Sequence, residues 1–197
     1  EVGTFRLGSR GAGGAAAFLV GERGGFATLG ALVRDGREIY DVWRLGTEGE
    51  PRYRLEVLFD GYAKGAKGAL AKLEKTTGRP TAKYARAGVS QPHPQTIRGL
   101  GKLGIADAAL EGTTFVADIG NLGAASLGLS LALALDGARK GQAVLALGYG
   151  AGEAIAQAIT REAAPPKAAI AEMLADTEQI ALGTYYRWTR GRQQQPH

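Results

Sequence analysis

Three stretches carry residue types suited to chemistry. Ser90-Gln91-Pro92-His93 sits at the end of an expected strand and sets a hydroxyl and an imidazole three positions apart. A serine hydroxyl is no base near neutral pH, so proton transfer in this stretch would fall to His93. The alternative for His93 is a plain place at the start of the helix that Pro94 announces. Ile119-Gly120-Asn121 places an amide ahead of a second expected helix, whose N-terminal dipole end is positive. Read from the residues alone, Asn121 is an N-cap of that helix. The third stretch, Gly148-Tyr149-Gly150-Ala151-Gly152, is a glycine turn between two apolar runs. It is no dinucleotide fingerprint, because a strand and not a helix follows it.

Composition narrows what these residues can do. The 197 residues include no Cys and two His. That removes disulfides, zinc-thiolate sites and a cysteine nucleophile from this chain. A multi-His metal site is not expected either. The net charge is +5, with modest basic clusters at 64–75 and 187–192. No nucleic-acid motif accompanies them, so nucleic acid is not an expected partner. A basic rim suits an anionic ligand, and a solvated face is the simpler account. Neither a signal peptide nor a transmembrane run is visible, which makes cytoplasm the expected location. The chain opens on Glu1 and not Met, as a processed product or an internal start would.

The elements that must position these residues follow from periodicity. Residues 11–20 form a small-residue run ending in a strand, and 26–33 a second strand behind a turn at 22–25. Neither alternates cleanly, which predicts burial on both faces. A polar loop spans 35–53. Leu58, Tyr62, Ala66, Ala69, Leu70 and Leu73 define one face of a helix over 58–77, stopped by Gly78. Strands are expected at 84–89, 113–118, 143–147 and 153–160, and helices from Pro94 to Gly104 and over 167–175. The helix over 124–135 contains only Ala, Leu, Gly and Ser. Its leucines point to every side, so it calls for burial all round, and it is too short and interrupted to span a bilayer. The order is mixed α/β.

The run from Gly120-Asn121 through the Leu/Ala helix to Gly148–Gly152 resembles the C-terminal half of thiolase-superfamily condensing enzymes. The nearest likeness is to archaeal-type hydroxymethylglutaryl-CoA synthases, and a more distant one is to ketoacyl-acyl carrier protein synthase III. Asp41-Val42-Trp43-Arg44, the Gln91-Pro92 pair and the tyrosine- and arginine-rich run at 181–191 extend the resemblance over nearly the whole chain. The small-residue run before Val20 looks like the last strand of the family's N-terminal half. The resemblance implies a thiolase-like half: a mixed sheet, a buried central helix and covering helices. It divides the chain into 1–33, the end of the N-terminal half; 34–162, the C-terminal half; and 163–197, a C-terminal helix and basic, aromatic tail.

It also implies roles. Asn121 would orient the thioester or a water. Gly148, Tyr149, Gly150 and Gly152 would line the thioester site and offer a backbone N–H to its oxyanion. Ser90 stands where the family has its catalytic His, so Ser90 or His93 would occupy the place of the base. The family's nucleophilic Cys belongs to the N-terminal half, which this chain lacks. A coenzyme A thioester would be the substrate, with no covalently bound cofactor and no metal. Alone, the chain cannot run covalent acyl transfer.

Half of such a fold would expose a face of the Leu-rich helix well beyond the roughly 300–600 Å² usual for a monomer's largest apolar patch. A partner is therefore expected: a Cys-bearing N-terminal half, or a thiolase-like paralogue. Two functions are open. The chain is a subunit or fragment of an acyl-CoA condensing enzyme, or a non-catalytic subunit that scaffolds one, with an OB-fold/zinc-ribbon protein as a possible companion. Whether this chain itself takes part in catalysis stays open at this point.

Overall fold

A computed structural model describes residues 13–43, 46, 52–164, 170–176 and 178–193. The chain divides into two compact units, Glu1–Pro166 and Lys167–His197. The second contains helices α5 (Ile170–Ala175) and α6 (Leu182–Gln193). The first carries the candidate chemistry.

Its frame is a four-stranded mixed sheet in the order β1-β6-β5-β4, with β1 at Ala27–Gly36, β4 at Arg86–Val89, β5 at Ala143–Gly150 and β6 at Glu153–Arg161. β4 runs parallel to β5, with Val89 opposite Leu147; the other pairs are antiparallel. Two short strands, β2 (Val42–Trp43) and β3 (Arg52–Tyr53), pair separately.

The two-residue strand period sorts the sheet's apolar side chains into two cores. Ala87, Val89, Leu145, Leu147, Ala154 and Ala156 face helix α1 (Leu55–Thr77) on one side. Val144, Ala146 and Ile159 face helix α4 (Ala125–Gly137) on the other. α1 buries the stripe that its sequence announced, Tyr62 through Leu73. It ends on Gly78 at φ 66°, whose N–H closes onto the Glu74 carbonyl. α4 buries Ser126, Ser130 and Ala134, small residues four apart that let it lie close to the sheet. The approach is tight at Gly88, where a Cβ would run into the backbone of Leu131.

Five expectations change. Residues 13–20 form no strand of the described sheets, and Phe18, Leu19 and Val20 are exposed. Gly11 and Ala12, the start of that expected run, lie outside the described residues, as do Arg44 and 165–169. β1 is not buried on both faces and leaves Leu29 and Leu32 about half exposed. The expected strand at 113–118 is instead a turn, in which the Ile119 and Gly120 N–H groups close onto the Phe115 and Val116 carbonyls. The side chain of Gln91 holds that turn by its backbone. Finally, α4 buries one face and only half-buries Leu127, Leu129 and Leu133, because the described residues lay a single sheet against it. A short helix α3 (Asp107–Leu110) was not anticipated, and the helix expected to run from Pro94 to Gly104 splits into α2 (Pro94–Arg98) and a 3-10 turn at Leu100–Leu103.

Candidate functional site

β4 delivers Ser90-Gln91-Pro92-His93 at its C-terminal end, and each polar member goes to a different task. The Ser90 N–H extends the parallel ladder by donating to the Leu147 carbonyl at 2.9 Å. Its hydroxyl accepts the Tyr149 N–H at 3.0 Å, and its carbonyl accepts the Tyr62 hydroxyl at 2.9 Å. Ser90 is thus a buried strut between β4, β5 and α1.

Gln91 is fully buried. Its amide nitrogen donates to the Thr113 carbonyl at 2.8 Å, and its amide oxygen accepts the N–H groups of Phe115 and Val116 at 2.8 and 3.1 Å. One side chain therefore satisfies three backbone groups of the 113–116 segment, which replaces ladder pairing there. Ser130 supports the same place from α4, donating to Thr113 O and accepting the Val89 N–H.

His93 is the N-cap of α2. Its Nδ1 accepts the Gln95 N–H at 3.2 Å, and its carbonyl accepts the N–H and hydroxyl of Thr96. The ring lies 5.0 Å from that of Phe59, tilted by 55°. His93 borders a cleft of about 630 Å³ that Leu55, Gln95, Arg98, Asp118 and Gly120 also line.

Asn121 follows Gly120 at the cleft edge. It is not the cap of α4, whose N-cap is Ala124 without a side-chain bond. The Asn121 Oδ1 instead accepts the Gly123 N–H at 2.8 Å, closing a local turn ahead of the helix.

The Gly148–Gly152 run is the end of β5 and a two-residue hairpin turn, with Gly150 opposite Glu153. Ala151 and Gly152 both have positive φ, 46° and 84°, as a type I′ turn requires. Gly152 packs under Arg37, where a Cβ would strike the Arg37 carbonyl. Gly148 leaves room for Ile155 and Leu127. Tyr149 sends its hydroxyl to the buried Asp41 carboxylate at 3.1 Å and its ring against Tyr62 at 5.3 Å. Burial, then the adjacent Asp41 charge, pushes the Tyr149 phenol above its ordinary value, so it stays a proton donor. Gly61 and Gly65 of α1 make room for that ring.

The structure therefore gathers the candidates into two groups. Ser90, Tyr149 and Asp41 form a buried network with Tyr62; Ser90 is not among the residues lining the cleft. His93 and Gly120 line the cleft, and Asn121, the next residue, is not among its lining. The bracing role of Gln91 and the cleft residues Arg98 and Asp118 did not stand out in the sequence. A Gln directly after an apolar strand is the one signal that could have pointed to the first.

No protein-family model and no curated protein matches the chain; solved structures do. A structure of MvaS in complex with 3-hydroxy-3-methylglutaryl coenzyme A superimposes with a TM-score of 0.67 at 20% identity, over 87% of this chain and 51% of that one. An HMG-CoA synthase complexed with CoA gives 0.60 at 20% identity, over 70% and 40%. A 3-oxoacyl-(acyl carrier protein) synthase III from Pseudomonas aeruginosa gives 0.56 at 18%, over 70% and 44%. The chain spans about half or less of the length of these structures.

Proposed function

We propose that this chain, whose fold is that of a thiolase-superfamily condensing enzyme over part of its length, is the C-terminal half of an acyl-CoA-using enzyme of the hydroxymethylglutaryl-CoA synthase type. It works with a Cys-bearing N-terminal half, supplied by a partner or by a longer form of the same polypeptide. The observation that carries the proposal is α4. Its leucine flanks are half-buried beside a single sheet, while proteins of the same fold are about twice as long. Water-exposed leucine on an otherwise apolar helix favours a second layer across it.

In this reading the partner's thiolate takes the acyl group from coenzyme A, breaking the thioester and releasing the CoA thiol. The bond to carbon then forms or breaks beside the cleft. His93 and Gly120, which Asn121 follows in the chain, border the space where the thioester would lie, and Arg98 offers a cation to an anionic part of the ligand. Two of the neighbours bear CoA or a CoA ester in their structures, which supports coenzyme A thioesters as the ligand class.

A second reading is favoured by Ser90. Its hydroxyl is taken by the Tyr149 N–H inside the fold and is not positioned for proton transfer in the cleft. A chain so built would scaffold an active thiolase-like partner, alone or with an OB-fold/zinc-ribbon protein. Incubating the assembled complex with radiolabelled acetyl-CoA separates the two. Label on a partner Cys with turnover lost in Asn121→Ala supports shared catalysis. Label with turnover unchanged in Asn121→Ala supports scaffolding, and absence of label counts against both.

A further inference from the structure

We propose that residues 13–20 are a strand that this chain lends to a second sheet, and that the sheet belongs to the Cys-bearing half, which takes the strand along its open edge. The contacts of the run alternate as those of a strand do. A Cβ at Gly14 would meet Leu122, and one at Gly128 would meet Ala16 and the ring of Phe18. Residues 14, 16 and 18 thus turn to the α4 region, and the odd-numbered residues between them turn away, ending in a fully exposed Leu19.

The side of α4 that the run touches is the outer one. Gly128 stands two residues before Ser130, whose hydroxyl accepts the Val89 N–H of β4. Two residues are about 200° of helix, so Gly128 faces away from the four-stranded sheet. Leu129, beside it, is only half-buried, and a sheet built on residues 13–20 would cover it too.

What the run lacks is a neighbouring strand. No backbone hydrogen bond joins residues 13–20 to another described residue, and each of the eight is exposed. All are Gly, Ala, Phe, Leu or Val, so both faces are apolar and neither edge carries the charge or proline that keeps a free strand single. A strand apolar on both faces belongs inside a layered sheet, where its backbone groups are paired. Addition to an open edge supplies those bonds in a row, and the alternate side chains set which sheet fits. The choice of the Cys-bearing half as the owner of that sheet rests on the function proposed above; the need of residues 13–20 for a sheet does not.

Hydrogen exchange on the assembly isolated from its source, with the mass of each component recorded, tests the proposal. Residues 13–20 should exchange about a hundredfold or more slowly than an unstructured peptide, in an assembly that holds a Cys-bearing half. Ala16→Pro and Ala17→Pro each delete one N–H, and these two N–H groups point to opposite edges of the strand. At least one of them should speed exchange across residues 13–20 about tenfold or more, with exchange at Phe115 and Val116 unchanged. Unprotected residues 13–20 beside a Cys-bearing half, or protection that neither proline disturbs, would overturn the lent strand and leave the proposed function standing. Protection in a particle without cysteine would give the strand to a second copy of this chain, against both this partner and the proposed function.

Discussion

The Ser90 hydroxyl holds the backbone N–H of Tyr149 at 3.0 Å, while the Ser90 N–H holds the Leu147 carbonyl at 2.9 Å. A side chain thus adds a further rung beyond the last β4–β5 ladder pair, at Val89 and Leu147. Tyr149 is then anchored at its other end by Asp41. The rung fixes where the glycine hairpin begins. It also occupies the Tyr149 N–H, so that group is not available to an oxyanion while Ser90 holds it.

Ser90→Ala removes the rung and leaves a part-buried N–H without its acceptor. We expect a loss of about 1–2 kcal/mol in urea unfolding and faster hydrogen exchange at Tyr149. Unchanged exchange at Tyr149 would contradict the rung.

Gln91→Leu should be costlier. It leaves the Phe115 and Val116 N–H groups without side-chain partners and the Thr113 carbonyl with its Ser130 bond alone. A loss of about 3 kcal/mol or more is expected, with exchange rising first at Phe115 and Val116. A loss spread evenly over the sheet would show that Gln91 does not brace this turn.

Gly88→Ala tests the close packing of α4 on β4. Its Cβ would meet the Leu131 backbone, which can give way only if the helix moves. Overpacking of this kind costs about 1–3 kcal/mol or more, measurable as a lowered melting temperature. A neutral substitution would mean that α4 sits farther from the sheet than described.

Asp35 gives the fold a pH-dependent contact. The hydrogen bond from Lys72 at 2.7 Å, opposed by burial and aided by the charges of Lys72 and Arg37, holds its carboxyl below the ordinary value of 3.8. A lowered folded pKa contributes stability that is present above the unfolded value and lost as pH falls through the folded one. Asp35→Asn should therefore be about 1–2 kcal/mol less stable near pH 7, with the gap closing below pH ~4. A gap independent of pH would contradict the ion pair.

Much of the fold was legible because it rests on local patterns. The α1 stripe, the β5–β6 hairpin and the helix at α4 follow from spacing and from turn residues. The strand expected at 113–118 failed because Gln91, more than twenty positions away, satisfies the backbone there, and no window of local sequence reveals such a bond. The site was legible in part. Sequence gave Ser90 and His93 as rival occupants of one role, whereas their contacts give Ser90 to the sheet and His93 to a helix cap. That division depends on where the chain bends after β4, which the residue types alone do not set. The likeness carried by Asp41 acquires a physical content in the same way, through its bond to Tyr149 108 positions later.

The central claim is that a Cys-bearing half completes this chain. Native mass spectrometry of the protein isolated from its source, followed by denatured masses of each component, tests it most directly. The account predicts a Cys-containing polypeptide in fixed stoichiometry, either as a second chain or as added mass on this one. A stable monomer or homo-oligomer of the 197 residues alone, with no cysteine anywhere in the particle, would contradict it.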